Sequence, residues 1–185
     1  MKSSNGSMGG RAEDLCLECG FCCNGVIFAD IKLRPADHPA RLKALAEPFM
    51  QPQPGQTAKI SWHGSRLTQP CLFFDGSRCR VYEQRPGHCR NFECLLLSNV
   101  MAKRLPRQAA LRIIQTARQQ ADTVRNLLQV LGDTDEQESL ANRFRRTSRR
   151  LEQVGAETEM AETYSDLTLA VHDLNCLLSE AFYPG

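Results

Sequence analysis

Residues 16–23 read Cys16-Leu17-Glu18-Cys19-Gly20-Phe21-Cys22-Cys23, which places four cysteines within eight residues. The spacing of Cys16 and Cys19 allows two thiolates to bind one ion from a tight turn, and Gly20 allows the chain to bend there. Cys22 repeats the three-residue step, so three sulfurs are predicted to converge. Such a cluster can cross-link the chain, attack a substrate or hold a metal, and the fold depends on which of these it does.

Cys23 directly follows Cys22, and adjacent side chains of an extended chain point to opposite sides. The two thiols are therefore not expected to bind one ion together, and Cys23 is expected to face a second metal or to join a site with several metals. Four more cysteines follow at Cys71, Cys79, Cys89 and Cys94. Eight thiols are enough for two four-sulfur sites, although the spacing does not assign each cysteine to a site.

The cysteine content favours metal binding over disulfide bonds and over a reactive thiol. The chain has nine cysteines, and its first residues lack the apolar run of a secretory signal, so a cytoplasmic location is expected, where thiols stay reduced. A cysteine framework in that compartment is more often metal-binding or catalytic than disulfide-bonded. The ninth cysteine, Cys176, lies in an amphipathic helical pattern and is interpreted as a structural residue, because a cysteine without a metal behaves as a small hydrophobe.

Composition and charge exclude several classes of function. The formal net charge is +2, so the sequence does not predict nucleic acid as a partner. No run of about 18 apolar residues appears, so no membrane span is expected. No phosphate loop, metalloprotease motif or nucleophile–base pair stands out, and whether the protein is an enzyme stays open. An unidentified protein partner and the oligomeric state also stay open.

Short elements are predicted in the first part of the chain. An extended segment, a helix and a hairpin are expected at 26–28, 38–46 and 58–64, with the hairpin turning at His63-Gly64. A second hairpin is expected from Cys71 to Tyr82, because Asp75-Gly76 between apolar runs is typical of a two-residue turn. That turn would bring Cys71 and Cys79 near each other.

Long helices are predicted in the second part. After a helical stretch at 91–104, three helices are expected: 106–131, one that starts near 133–136, and 157–182. Short connections predict antiparallel packing. The second helix carries a run of arginines: Arg143, Arg145, Arg146, Arg149 and Arg150. We interpret this run as a solvated face near acids of neighbouring helices, with an anionic partner as the alternative.

These patterns predict an α+β fold that is mainly helical. It consists of a small cysteine-rich metal-binding domain with short β-hairpins and a C-terminal antiparallel three-helix segment. The expected boundaries are a disordered lead at 1–10, the cysteine-cluster domain at 11–105 and the helical segment at 106–185, packed on that domain.

Basic residues near the later cysteines are candidates for charge compensation. A divalent metal with four thiolates carries about two net negative charges. The nearby arginines are Arg78, Arg80, Arg85 and Arg90. They are expected either to offset that charge or to be ordinary solvated residues. Either His63 or His88 could replace a cysteine at the metal, since sites with three cysteines and one histidine exist. Because enough sulfurs are present without them, both are interpreted as surface residues or as neighbours of the ligands.

Three motifs occur together and in order: C-x-x-C-x-x-C-C at 16–23, Pro70-Cys71, and C-R-V-Y-E-Q-R-P-G-H-C-R at 79–90. Over residues 15–98 the chain resembles the YkgJ-type cysteine-cluster proteins, whose shared region is described as a zinc- or iron-chelating domain. The resemblance implies eight metal ligands: Cys16, Cys19, Cys22, Cys23, Cys71, Cys79, Cys89 and Cys94. It also singles out Tyr82, Glu83 and Arg85, which the local pattern alone places at a strand end and a turn.

The metal is undecided between iron and zinc, with a slight lean to iron. Family members are often labelled iron–sulfur proteins or oxidoreductases, and the repeated C-x-x-C spacing suits a four-iron cluster, whereas Gly20 after Cys19 suits a mononuclear zinc or iron site. The first hypothesis is a metal-binding protein with a redox, electron-transfer or structural role. The alternatives are a zinc-stapled module that binds a partner through its C-terminal helices, and an iron–sulfur oxidoreductase or modifying enzyme.

Overall fold

The computed structural model describes residues 14–49, 62–154 and 158–184. Its helices are α1 (Asp14–Cys19), α2 (Pro39–Ala46), α3 (Gly87–Asn91), α4 (Leu95–Met101), α5 (Arg107–Val130), α6 (Leu140–Val154) and α7 (Thr158–Ala181). Three short strands, β1 (Asp30–Lys32), β2 (Trp62–His63) and β3 (Arg66–Thr68), form an antiparallel sheet in the order β1-β3-β2. The predicted fold class is confirmed. The predicted lead at 1–10 lies outside the described residues.

The long helices follow the apolar periodicity of the sequence. Pro106 caps the start of α5, as expected for a residue without an N–H, and Leu131 follows its end. The buried positions are Ala110, Ile114, Ala117, Ala121, Val124 and Leu128 on α5, with Leu167, Leu174 and Leu178 on α7. They join Leu15 and Phe21 in one core, so the helices pack on the first cysteine cluster. Their antiparallel order stays a prediction. Within the described ranges, no helix has the length and apolar character needed to cross a membrane.

The start of α6 differs from the prediction. The helix begins at Leu140 rather than near 133–136. Asp133 does not cap it, because its carboxylate is used in ion pairs. The buried Ser139 takes the capping position, and its Oγ accepts the N–H of Asn142 at 3.3 Å.

The arginine run of α6 binds the loop that follows α5. Arg143 and Asp133 are both buried, and Arg143 Nε lies 3.0 Å from Asp133 Oδ1. Arg146 binds the other carboxylate oxygen at 2.6 Å, and Arg150 donates to the carbonyl of Leu131. Acids on neighbouring helices were predicted to compensate this charge, but the acid lies in the loop that precedes α6. These contacts account for much of the arginine run without an anionic partner.

The sheet confirms one predicted hairpin and corrects a strand. In the β2–β3 hairpin, His63 pairs with Arg66, so the turn is Gly64-Ser65, one residue later than predicted. Residues 58–61 lie outside the described ranges. The extended segment predicted at 26–28 is not a strand, and β1 begins at Asp30 instead.

The second predicted hairpin, over residues 71–82, is wrong. A single bridge pairs Phe74 with Cys79, and no strands extend from it. The Asp75 carboxylate closes this loop by accepting the N–H of Arg78 at 2.8 Å, which replaces the expected two-residue turn.

The helix predicted over 91–104 is interrupted. α3 ends at Asn91 and α4 begins at Leu95. Between them Cys94 is extended, with φ −74° and ψ 155°, and its sulfur accepts the N–H of Leu97 at 3.4 Å. Cys94 is thus the N-cap of α4, so its side chain precedes the helix and does not lie on the helix surface.

Candidate metal centre

The first cysteine cluster is built by α1 and the turn that follows it. Cys16 and Cys19 lie three positions apart on α1, so their side chains share a face of the helix. Gly20 has φ +72°, and its N–H donates to the Cys16 carbonyl at 3.1 Å. The Gly20 carbonyl accepts the Cys23 N–H at 2.9 Å. Cys22 and Cys23 therefore lie in a turn rather than in the extended chain that was predicted.

The loop that carries Cys71 and Cys79 packs on this turn. The N–H of Cys71 donates to the carbonyl of Cys23 at 2.7 Å, which joins the two cysteine blocks directly. A Cβ added to Gly20 would lie 2.7 Å from the Phe74 ring, so a larger residue does not fit there. Phe74 itself donates to the Cys71 carbonyl at 2.9 Å and pairs with Cys79. The predicted proximity of Cys71 and Cys79 is confirmed, although by a loop rather than by a hairpin.

Cys89 and Cys94 enter from α3 and from the start of α4. The α3 turn is anchored by Asp37, whose Oδ1 accepts the N–H of Gly87 at 2.5 Å. Cys94 precedes the first turn of α4, where backbone N–H groups favour a negatively charged sulfur.

A cavity of about 470 Å³ lies between these segments, and seven of the eight predicted ligands line it. They are Cys16, Cys19, Cys22, Cys23, Cys79, Cys89 and Cys94. The eighth, Cys71, adjoins the cavity through its hydrogen bond to Cys23. The structure therefore brings together all eight residues that the sequence singled out.

Burial favours the protonated form of these thiols. It raises the pKa of Cys19 and of Cys71 to about 12 and the pKa of Cys89 to about 11. For Cys22, burial and the neighbouring Cys19 thiol raise the pKa well above its ordinary value. Burial also raises the pKa values of Cys23, Cys79 and Cys94. A nucleophilic cysteine needs a lowered pKa, so these thiols are poor candidates for covalent catalysis.

Arg85 is the arginine that faces several of these sulfurs. Burial raises the pKa values of Cys23, Cys79 and Cys89, and the Arg85 guanidinium opposes each of these shifts. Arg85 Nε donates to the Tyr82 carbonyl at 2.8 Å, and its guanidinium carbon lies 3.5 Å from the centre of the Tyr82 ring. Tyr82–Gln84 is a 3-10 helix rather than the predicted strand end. This turn holds the positive charge beside the cavity.

Of the other three arginines, Arg78 and Arg90 also line the cavity, whereas Arg80 does not. The Arg78 side chain is 75% exposed, and the Arg80 guanidinium lies 4.7 Å from the centre of the Phe49 ring. Arg90 donates to the carbonyl of Arg85 at 2.7 Å, so it supports the residue that faces the sulfurs.

His88 lies between aromatic rings at the cavity. It stacks on Phe92, with centroids 6.3 Å apart, and meets Phe28 edge-on at 5.0 Å. In the part of the chain that the structure describes, its Nε2 atom is buried and has no hydrogen-bond partner. This position agrees with the interpretation of His88 as a residue that neighbours the metal ligands. The side chain of His63 lies outside the description.

Two contacts from the C-terminal helices were not predicted. Arg118 of α5 donates to the carbonyls of Glu18 and Cys19, and the second bond measures 3.3 Å. Burial raises the pKa of Tyr183, just after α7, and the nearby Cys22 thiol raises it further. Neither residue carries a local sequence signal, since both reach the site through packing.

The donor set fits zinc or iron by its chemistry. Four thiolates per ion are the usual ligands of structural zinc and of iron–sulfur centres. Within the described ranges, no three Cys, His, Asp or Glu side chains are already arranged around one point as metal ligands. Rotation about the Cα–Cβ bonds moves the sulfurs without moving the backbone, so the observed neighbourhood is compatible with binding.

Cys176 lies apart from this site. All nine cysteines are within the described ranges, and none of them forms a disulfide bond. Cys176 is exposed on α7, with its sulfur 3.6 Å from His172 Nε2, so it does not pack in the core as the structural interpretation would suggest. The buried face of α7 is formed by leucines such as Leu174 and Leu178 instead.

The family comparison agrees with the site. Residues 15–126 match the model of the CxxCxxCC family, described as a "putative zinc- or iron-chelating domain", and the match covers more than half of the chain. The protein therefore belongs to this family of cysteine-cluster domains. The matched region extends past residue 98, where the recognised motifs end, into α5. No curated protein and no solved structure matches the chain.

Proposed function

We propose that the protein holds a resident metal, iron or zinc, through its eight clustered cysteines. The observation that carries this proposal is the cavity of about 470 Å³, which seven of the eight thiols line. Cys71 adjoins it through the 2.7 Å hydrogen bond to Cys23. Thiolates in such numbers are the ligands that zinc sites and iron–sulfur centres share.

Two other uses of clustered thiols have less support. A disulfide set has less support because the number of cysteines is odd and none of the nine, all within the described ranges, is disulfide-bonded. A reactive thiol needs a depressed pKa and solvent access, whereas burial raises the pKa of Cys19, Cys22 and Cys71. A bound cation removes this conflict, because it stabilises the thiolates that burial disfavours and releases their protons.

The charge around the cavity supports bound thiolates. A divalent ion with four thiolates has about two excess negative charges. Arg85 lies beside Cys23, Cys79 and Cys89, and the α4 N-terminus lies beside Cys94. Each supplies positive potential near a sulfur without competing as a ligand.

The role follows from the number of thiolates. Four sulfur ligands close a metal site, whereas hydrolytic chemistry needs an open position. Iron in such a site would serve electron transfer, and zinc would staple the loops of the cysteine-rich part. The resemblance to iron–sulfur proteins favours iron slightly, so electron transfer is the first role to test.

The experiment is metal analysis with an absorption spectrum, on protein purified without oxygen and without added metal. Cys89→Ser removes a half-buried thiol of the cavity, and Cys176→Ser is the matched control because Cys176 is exposed and does not line the cavity. We expect stoichiometric metal in the wild type, less in Cys89→Ser and an unchanged amount in Cys176→Ser.

Each result has a distinct meaning. Iron with sulfide and a broad band near roughly 400 nm supports the electron-transfer role, and colourless zinc supports the structural role. Wild-type protein without stoichiometric metal, or equal metal in both variants and the wild type, contradicts the proposal.

A further inference from the structure

The cysteines pack against two different hydrophobic cores. Cys19, Cys22 and Cys94 pack on the core that α5 and α7 share with Leu15 and Phe21. A second, smaller core is formed by Ile31, Leu33, Leu42, Ala46, Leu67 and Phe73. Cys71, Cys79 and Cys89 pack on that one. Six of the eight thiols are thus divided three and three by apolar packing, independently of any charge.

Backbone hydrogen bonds attach the remaining two cysteines to one side each. Cys16 lies on the same face of α1 as Cys19, and the Gly20 N–H donates to its carbonyl. The Cys23 N–H donates to the Gly20 carbonyl, but the Cys23 carbonyl accepts the Cys71 N–H at 2.7 Å, so the loop of the second core packs directly on Cys23. The division therefore falls between the adjacent residues Cys22 and Cys23.

The electrostatic neighbours of the central pair support the same division. The thiols that raise the pKa of Cys22 are Cys19, Cys23, Cys94 and Cys16. The thiols that raise the pKa of Cys23 are Cys71, Cys79 and Cys89. Cys23 is among the thiols that raise the pKa of Cys22, but no third thiol acts on both residues in these two groups.

Resting on the proposed function, we propose that the cysteines form two four-thiolate metal sites, one on each core. The first site consists of Cys16, Cys19, Cys22 and Cys94. The second consists of Cys23, Cys71, Cys79 and Cys89. The turn after Gly20 places Cys22 and Cys23 on different sites, so one peptide bond links the two centres.

This arrangement explains why four cysteines crowd into residues 16–23. Three of them build one site with a single distant cysteine, whereas the fourth completes a site formed by three distant ones. A different arginine lies beside each site, because Arg85 faces three thiols of the second set, whereas Arg118 donates to backbone of the first and opposes the raised pKa of Cys19.

The test maps which thiols a metal protects. Protein purified without oxygen, with its own metal, is treated with increasing EDTA and then with N-ethylmaleimide, and the alkylated cysteines are identified by peptide mass spectrometry. Cys176 should react at every step, because it is exposed. The other eight should become reactive as two sets of four with the membership given above.

Two single variants give a second, independent reading. Cys16→Ser should lose about half of the metal and expose the other thiols of the first site, while the second site stays protected. Cys71→Ser should do the reverse. Circular dichroism checks that helical content is retained, and the EDTA series on the wild type decides the matter if a variant does not fold.

The outcomes separate the two proposals. Wild-type protein whose nine thiols all react before chelation overturns the metal centre itself. Protected wild type in which each variant loses all its metal, or in which Cys22 and Cys23 fall in one set, overturns the division and leaves the metal centre intact.

Discussion

The cysteine-rich part of the chain and the helices α5–α7 are stabilised in different ways. The long helices bury apolar side chains at helical spacing, and nine of these positions on α5 and α7 are almost inaccessible to solvent. In the cysteine-rich part, α1–α4 have at most eight residues, the strands have two or three, and the second core has six buried residues. A core that small contributes little by itself. Other apolar residues of this part, such as Leu15 and Phe21, pack in the core of the long helices. The difference indicates that the helices are stable through packing, whereas the cysteine-rich part depends more strongly on what its thiols bind.

The largest effect is expected where the two parts meet. Phe182 is fully buried, its ring lies 5.5 Å from that of Phe21, and its carbonyl accepts the N–H of Leu95. Phe182→Ala should lower the free energy of unfolding by about 3–5 kcal/mol and also weaken metal retention. Leu169→Ala is the control, because Leu169 is 61% exposed on α7, the helix that Phe182 directly follows. Urea unfolding and metal analysis measure both quantities, and equal stability of the two variants would refute the prediction.

A second large effect should be confined to the helical part. Asp133→Asn leaves the buried Arg143 without its carboxylate partner, so the free energy of unfolding should fall by about 3 kcal/mol. Metal content should stay unchanged. Asp122→Asn is the matched control, since its ion pair with Arg125 is exposed and is worth at most about 1 kcal/mol. Loss of metal in Asp133→Asn would contradict the prediction that the effect is confined to the helical part.

A smaller effect should appear in the cysteine-rich part. Gly20→Ala places a Cβ 2.7 Å from Phe74 at a residue with φ +72°, so it should destabilise the protein by about 2 kcal/mol and reduce bound metal. Gly64→Ala has a similar φ of +60° and open space around it, and should cost about 1 kcal/mol with metal unchanged. Thermal unfolding gives the stability of both variants. The difference between them is the cost of the contact with Phe74, because Gly64→Ala has the backbone strain alone. Identical behaviour would exclude the contact as a cause.

The smallest effect concerns charge. Arg85→Gln should lower metal affinity roughly tenfold, because a neutral side chain no longer offsets the thiolates near it. Stability of the metal-free protein should stay within about 0.5 kcal/mol. Arg149→Gln, at an exposed residue of α6 that does not line the cavity, should leave the affinity unchanged. Competition with a chromogenic chelator gives both affinities, and equal values for the two variants would show that the charge of Arg85 does not contribute to metal affinity.

The sequence predicted those features that depend on local patterns. The apolar period located α5 and α7 closely, and the cysteine spacing identified the residues that surround the cavity. Long-range contacts were not predictable in this way. The bond from Cys71 to Cys23 and the packing of each thiol on one of two cores depend on the assembled fold.

Competition between side chains explains the remaining errors. Asp133 resembled a helix cap, but two arginines of α6 take its carboxylate and the helix starts later. Asp75-Gly76 resembled a two-residue turn, but the Asp75 side chain accepts the N–H of Arg78 and a wider loop forms. In both cases a carboxylate found a partner that local propensity does not reveal.

The central claim is that bound metal orders the cysteine-rich part while the helices hold without it. Hydrogen exchange measured by mass spectrometry on the metal-bound and the metal-free protein tests this claim most directly. We predict that amides at 14–33 and 71–94 lose protection when the metal is removed, whereas those of α5 and α7 keep theirs. Equal protection of both parts in the two states, or their joint loss, would contradict the account.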